Sequence, residues 1–77
     1  MSRPDQEDKH LAAFGKRVAA IRRDRKLTQE QLAERTGLAY DSIRGIERGR
    51  RWARLTTLHT LAKGLGVKLE DLFKGLS

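Results

Sequence analysis

Residues 28–49, TQEQLAERTGLAYDSIRGIERG, constrain the fold of this chain more than any other stretch. Thr28 is a favourable N-cap residue, and Gln31 three positions later completes a capping box. A helix is therefore predicted to begin at Gln29. Gly37 can adopt the left-handed backbone conformation that ends such a helix, so a tight turn is predicted there.

The second half of the stretch predicts another short helix. Ile43 and Ile46 are three positions apart and therefore share one side of it. Ala33 offers a small side chain where two steeply crossing helices come close. The outward positions of the second helix would then be free for other contacts: Tyr40, Asp41, Arg44 and Arg48. This is the arrangement of a helix-turn-helix, whose second helix enters the major groove of DNA.

The positive charge of the chain is concentrated around this motif. The net charge is +7, from 17 Lys and Arg against 10 Asp and Glu. Residues 15–54 hold 12 of the basic residues and only 5 of the acidic ones, so this part accounts for the whole excess. A basic region that coincides with a helix-turn-helix is the electrostatic pattern expected of a protein that binds duplex DNA.

Length and composition limit the alternatives. A chain of 77 residues is expected to form one small domain with a single core. Cysteine is absent, which excludes disulfides and thiolate metal sites, and we expect neither a metal nor a cofactor. No constellation of catalytic residues is found, so an enzyme is not expected. No apolar stretch is long enough for a membrane span and the first residues are too polar for a signal peptide, which favours a cytoplasmic location.

The rest of the chain is predicted to be helical, which gives an all-α fold of five helices. Residues 1–8 are polar and lack periodicity, and are predicted to form a flexible tail before a single domain at residues 9–77. Apolar residues at helical spacing predict a first helix over about residues 9–26 and a fourth over about residues 55–65. The same spacing recurs in a short fifth helix at Leu69, Leu72, Phe73 and Leu76.

Three motifs together resemble the phage lambda repressor and Cro superfamily of XRE-like helix-turn-helix proteins. They are TQxxLA at residues 28–33, IERG at residues 46–49 and LGV at residues 65–67. The resemblance extends over about residues 11–73. It implies a compact, five-helix, lambda-repressor-like DNA-binding domain with its helix-turn-helix at about residues 28–49.

The resemblance also implies roles for particular residues. The exposed side of the second motif helix would read DNA bases through Tyr40, Asp41, Arg44 and Gly45. The glutamine that opens the first motif helix, Gln29, would bond a phosphate and brace Tyr40. Arg22 and Glu47 would form an internal ion pair, which gives this glutamate a structural role.

The chemistry of these side chains leaves alternatives open. Arg44 can donate two hydrogen bonds to guanine, or it can contact a phosphate or pair with Asp41. Asp41 can accept a bond from cytosine, or it can only favour the positive end of its helix. Tyr40 can contact DNA or pack on the turn of the motif. Gly45 would allow a close approach to DNA, or it is a neutral substitution.

Further phosphate contacts are expected in and after the motif. The candidate residues are Ser42, Arg48, Arg50, Arg51 and Arg54. Ser42 lies in the first turn of its helix and can instead meet only solvent. Trp52, in the same basic loop, can cover the core or contact the sugar-phosphate backbone, and we favour the first role.

These observations predict a sequence-specific transcriptional regulator that binds double-stranded DNA, such as a Cro-like repressor or a restriction–modification controller. Because one such unit reads few base pairs, we expect a homodimer on a near-palindromic operator. The expected dimer interface is the stripe Leu69, Leu72, Phe73 and Leu76, since so short a helix cannot bury all four side chains internally. The alternatives are an antitoxin or adaptor that binds another protein, and an RNA-binding member of the same fold.

Overall fold

Four α-helices and one 3-10 helix make up the computed structural model, which describes the backbone of residues 4–76 and the side chains of residues 9–76. In chain order they are α1 (Pro4–Asp24), α2 (Gln29–Thr36), α3 (Tyr40–Glu47), α4 (Leu55–Leu65) and the 3-10 helix (Leu69–Phe73). No strand occurs within residues 4–76, so the predicted all-α class is confirmed, with the fifth helix present as a 3-10 turn. None of the described helices is long and apolar enough to cross a membrane.

Helix α1 begins at Pro4, earlier than the apolar pattern predicts. Residues 4–8 are thus helical where the sequence predicts a tail, and residues 1–3 of that tail lie outside the described residues. Proline suits the first turn of a helix, because the N–H that it lacks has no acceptor there. The apolar period begins only at Leu11, so it could not reveal the preceding turns.

Helix α2 begins and ends where its capping residues predict. Oγ1 of Thr28 accepts a hydrogen bond from the N–H of Gln31 at 3.0 Å, and Oε1 of Gln31 accepts one from the N–H of Thr28 at 2.8 Å. At the other end, Gly37 adopts a φ of 74° and donates its N–H to the carbonyl of Ala33. The tight turn into α3 therefore follows directly from local sequence.

The core lies where the helices meet, and it is built from the apolar sides that their spacing predicts. Its buried members are Phe14, Val18, Ile21, Leu32, Ile43, Ile46, Leu61, Ala62, Leu65 and Leu72. Leu27, Leu38 and Leu58 pack against its edge. A domain of this length has a free energy of unfolding of about 4–12 kcal/mol. A single badly packed side chain can therefore remove a large part of its stability.

Asp71 organises the 3-10 helix. Lys68, at the position before this helix, offers no side-chain cap, but Oδ2 of Asp71 accepts its N–H at 3.0 Å. Oδ1 of Asp71 pairs with Nζ of Lys74 at 2.8 Å. The hydrogen bond from Lys74, followed by that from the N–H of Lys68, lowers the pKa of the Asp71 carboxyl below its ordinary value. The carbonyl of Asp71 accepts a bond from Nε of Arg17 at 3.0 Å, which ties the 3-10 helix to α1.

Candidate nucleic-acid interface

Helix α3 has one buried side and one accessible side. Ile43 and Ile46 are 0% and 1% exposed and fix its inner side in the core. Tyr40 and Asp41 are exposed, and Arg44 is half-buried. Gly45 is half-buried like Arg44, and all four residues expected to read bases lie on the side of the helix opposite Ile43 and Ile46.

A glycine on α1 allows α3 to pack this deeply. A Cβ atom at Gly15 would collide with the carbonyl oxygen of Ile46 and would lie 2.6 Å from that of Glu47. The backbones of α1 and α3 are therefore in direct contact at this point, and no larger residue fits. Gly15 is not among the residues that the sequence patterns single out. The sequence does carry a signal for this contact, namely a glycine inside a helical apolar pattern. A glycine there lowers helix stability by about 1 kcal/mol relative to alanine.

Arg22 and Glu47 join α1 to the end of α3 by a bidentate ion pair. Nε of Arg22 donates to Oε2 of Glu47 at 2.7 Å, and Nη2 donates to Oε1 at 3.0 Å. The two side chains are only 10% and 5% exposed. Nη1 of Arg22 also donates to the carbonyl of Leu27 at 2.7 Å, just before α2. The pair that the resemblance implies is thus part of a network that holds three segments together.

Gln29 completes this network from α2. Its Nε2 donates to Oε1 of Glu47 at 3.0 Å, so its side chain braces the end of α3. The resemblance implies that Gln29 braces Tyr40, but among the described residues Glu47 takes this hydrogen bond. The physical reason is that a carboxylate can accept several bonds at once and is the stronger acceptor. Among the described residues, Glu47 accepts the one hydrogen bond found from Nε2 of Gln29.

Arg44 lies over the ring of Tyr40. Its Cζ is 5.5 Å from the ring centre, which is a cation–π distance. No ion pair joins Arg44 to Asp41 in the described part of the chain. Of the alternatives for Arg44, the structure therefore does not support pairing with Asp41, and the guanidinium is held across the first turn of α3.

Gly45, the fourth residue expected to read bases, lies next to the side chain of Arg51. A Cβ atom at Gly45 would lie 3.4 Å from both Cβ and Nε of Arg51 and 3.7 Å from its Cδ. Nη1 of Arg51 donates to Oγ of Ser42 at 3.1 Å. The arginine thus turns back from the following loop and lies against the glycine, which is half-buried.

The other arginines in and after the motif form a basic rim next to α3. They are Arg48, Arg50 and Arg54, and all three are exposed. Within the described residues none of them forms an ion pair with a carboxylate. Their positive charge is therefore not neutralised by those parts of the chain.

An apolar groove lies between α1, the loop after α3 and the C-terminal segment. Its lining includes Ala13, Phe14, Trp52, Phe73 and Leu76. Trp52 is 61% exposed, so it does not cover the core as the sequence analysis favours. The rings of Phe14 and Phe73, which both line the groove, are stacked at a centroid distance of 5.4 Å.

The stripe predicted as the dimer interface is largely used within the chain. Leu72 is 0% exposed and belongs to the core, so the prediction that it contacts a second copy is wrong. Leu69 and Leu76 are half-buried against the same core. Phe73, at 44% exposure, is the member that remains on the surface. The reason is that the small core needs these side chains to close its C-terminal side.

The chain is similar to known proteins over most of its length. The helix-turn-helix family HTH_3 matches residues 18–72. An immunity repressor protein of Bacillus phage phi105 is 46% identical over 58 residues, which are 75% of this chain and 40% of that protein. This chain therefore matches less than half of the length of that relative.

Solved structures share the fold described above. The restriction–modification controller protein C.AhdI from Aeromonas hydrophila is 36% identical, with a TM-score of 0.80 over 82% of this chain and 96% of that chain. The controller protein C.Esp1396I was solved as a tetramer in complex with its natural 35 base-pair operator. It is 29% identical, with a TM-score of 0.73 over 84% of this chain and 96% of that chain.

Proposed function

The chain belongs to the helix-turn-helix family HTH_3, and from this membership we propose that it is a cytoplasmic transcriptional regulator that binds double-stranded DNA in a sequence-specific manner. Helix α3 is its recognition helix and enters the major groove. The observation that carries the proposal is the way in which α3 packs against the core. Its inner side is fixed by Ile43 and Ile46, while the arginines next to its accessible side have no carboxylate partner among the described residues.

Base recognition starts from Arg44, Tyr40 and Asp41. Arginine donates two hydrogen bonds to O6 and N7 of guanine, which is the commonest specific contact in the major groove. The ring of Tyr40 beneath Arg44 limits the positions that the guanidinium can take. Less conformational entropy is then lost when the base contact forms. Tyr40 contacts a thymine methyl or the DNA backbone, and Asp41 accepts a hydrogen bond from N4 of cytosine.

Phosphate contacts anchor the helix in register. We assign them to Gln29 at the start of α2, to Ser42 within α3, and to Arg48, Arg50, Arg51 and Arg54 after α3. Such contacts supply affinity and orientation without carrying sequence information. Their number sets how strongly binding falls with salt.

The hydrogen-bond network around Glu47 holds α3 rigidly in the domain. Arg22 and Gln29 hold the end of α3 against α1 and α2 through three hydrogen bonds to one carboxylate. A recognition helix held in this way reaches the bases without a prior rearrangement, which reduces the cost of binding.

We further propose that the protein binds as a homodimer on a near-palindromic operator. Its contact surface is the apolar groove around Trp52, Phe73 and Leu76, in place of the stripe that includes Leu72. Trp52 lies within the basic loop, so a two-fold axis there brings the basic rims of two copies next to each other. The two α3 helices can then enter successive major grooves about 34 Å apart on one side of the duplex.

Fluorescence anisotropy with a labelled random-sequence duplex tests the DNA-binding proposal. We expect a Kd of about 1–100 μM near physiological salt, with a logarithm that changes linearly and steeply with the logarithm of salt concentration. The control is a single strand of the same length, which should bind more weakly. A flat salt dependence, or no duplex binding at low salt, would contradict the proposal and favour an antitoxin or adaptor that binds another protein.

A further inference from the structure

The apolar groove between α1 and the C-terminal segment also carries basic residues. Lys9 and His10, in the first half of α1, line it together with Trp52 and Phe73. Both basic side chains are exposed, and within the described residues neither forms an ion pair with a carboxylate. None of the described residues that line the groove is acidic. The groove therefore combines an apolar surface with a positive charge that the described part of the chain does not neutralise.

Aromatic rings supply much of the apolar surface of the groove. Trp52 and Phe73 are 61% and 44% exposed, so both rings are accessible to a bound molecule. The ring of Phe73 stacks on the buried ring of Phe14, which holds it in place. The groove has a volume of about 620 Å³, and small-molecule sites typically measure about 300–1,000 Å³. Such sites also share its chemistry, with a mainly apolar lining and a few polar groups that fix the orientation of the ligand.

The two kinds of lining residue specify the chemistry of an occupant. Its body has to be apolar, because removal of apolar surface from water is the favourable contribution that the rings offer. Its head has to accept hydrogen bonds and carry negative charge, since the ammonium group of Lys9 is a cationic donor and the ring of His10 donates an N–H. A carboxylate with an apolar body meets both conditions, whereas a neutral molecule gains only the apolar part.

We propose that the groove is a binding site for a small carboxylate with an apolar body, such as a medium-chain fatty acid, and that its occupation opposes dimerisation. The carboxylate lies against Lys9 and His10, and the body lies against Trp52 and Phe73. The effect on dimerisation rests on the proposed function, because these rings cannot contact the ligand and a second copy at the same time. The carboxylate thus acts as an effector that releases the dimer from its operator.

Tryptophan fluorescence measures binding, because Trp52 is the single tryptophan of the chain and lines the groove. The probes are octanoate and octanamide, which share an alkyl chain and differ in the charge of the head group. At low salt we expect octanoate to bind the full chain about threefold or more tightly than octanamide, because only the carboxylate forms charge-assisted hydrogen bonds. Added salt should weaken the binding of octanoate and leave that of octanamide nearly unchanged.

Two pairs of variants locate the site. Lys9→Gln should remove most of the difference between the probes, whereas Lys16→Gln, at an exposed position of α1 outside the groove, should keep it. Ala13→Phe places a ring inside the groove and should weaken the binding of both probes by about tenfold. Ala20→Phe is its control, because Ala20 is also exposed on α1 and does not line the groove. A thermal unfolding curve like that of the parent shows that each variant is folded.

The outcomes distinguish this inference from the function on which it rests. If octanoate binds no more tightly than octanamide, or if Lys16→Gln acts like Lys9→Gln, the carboxylate site is overturned and the proposed function stands.

Sedimentation velocity then tests the effect on dimerisation. At ten times its own dissociation constant, octanoate should raise the apparent dimer dissociation constant by about 100-fold, because each of the two copies must release its ligand. Octanoate that binds through Lys9 but leaves this constant unchanged would support the carboxylate site. That result would overturn both its effect on dimerisation and the groove as the dimer contact.

Discussion

Nε of Arg22 donates to Oε2 of Glu47 at 2.7 Å across the junction of α1 and α3. The two residues are 25 positions apart in the chain, and both side chains are at least nine-tenths buried. Because Glu47 is the last residue of α3, this contact fixes the end of that helix relative to the rest of the domain. The position of the proposed DNA-reading surface is therefore coupled to the stability of the fold.

Replacing Arg22 by methionine should destabilise the domain strongly. Glu47 would be left buried with only Gln29 as a side-chain partner, and the carbonyl of Leu27 would lose its hydrogen bond. Breaking one half of a buried pair costs about 3–5 kcal/mol. Urea unfolding measures the loss, and Arg23→Met is the control, since Arg23 is exposed and its replacement should change stability by less than about 0.5 kcal/mol.

The double variant Arg22→Met/Glu47→Met isolates the cause of that loss. Removal of both charges leaves no unpaired buried carboxylate, so stability should recover by a large part of the single-variant loss. An Arg22→Met protein as stable as Arg23→Met would show that the pair does not hold the helix.

Replacing Gly15 or Gly45, which both lie inside helices, by alanine should change the free energy of unfolding in opposite directions. At Gly15 the new Cβ would meet backbone carbonyls of α3 that cannot move without shifting the helix, so Gly15→Ala should cost about 1–3 kcal/mol. At Gly45 the new Cβ would meet only the flexible stem of Arg51, so Gly45→Ala should gain about 0.5–1 kcal/mol of helix stability. Thermal unfolding of the two variants checks this, and equal shifts in the same direction would contradict the packing described for α1 and α3.

The stability that Asp71 provides should depend on pH. Its pKa is lowered in the folded chain, chiefly by the hydrogen bond from Lys74, so the folded state binds fewer protons than the unfolded state as the carboxyl titrates. Its contribution is therefore fully present above the unfolded pKa and is lost as pH falls through the lower, folded value. Asp71→Asn should reduce Tm near pH 7, and the difference from the parent should shrink well below about pH 4. Glu70→Gln serves as the control because Glu70 forms no ion pair within the described residues, and a difference independent of pH would count against this role.

The dimer surface can be tested with two equally exposed apolar residues. Trp52 and Leu55 are 61% and 62% exposed, but of the two only Trp52 lines the apolar groove. Trp52→Ser should therefore raise the dimer dissociation constant by about tenfold or more, as expected for an aromatic anchor, whereas Leu55→Ser should leave it nearly unchanged. Sedimentation velocity over a concentration series measures both. A larger effect of Leu55→Ser would place the interface elsewhere.

The sequence predicts the helix-turn-helix because each of its signals involves residues that are close together in the chain. The capping box at Thr28, the left-handed Gly37 and the spacing of Ile43 and Ile46 each depend on neighbours only a few residues away. The start of α1 at Pro4 is not predicted, because the prediction of this helix depends on apolar periodicity, which begins later in it.

The remaining differences come from contacts between segments distant in sequence. No pattern in the sequence shows that Gln29 reaches Glu47, or that Arg51 turns back over Gly45, because both depend on how the segments cross. The spacing predicts Leu72 at a dimer surface, because spacing gives the apolar side of a helix without telling whether the chain itself covers that side. In this domain the small core covers that apolar side.

The central claim is that the accessible side of α3 reads base pairs, and Arg44→Ala tests it most directly. Binding of the parent protein and the variant to the selected operator and to a scrambled duplex is measured by anisotropy at one salt concentration. We predict that Arg44→Ala loses about 1–3 kcal/mol of binding free energy on the operator, concentrated at one base pair, with a much smaller loss on scrambled DNA. Equal losses on both duplexes would contradict the claim that this helix reads the sequence.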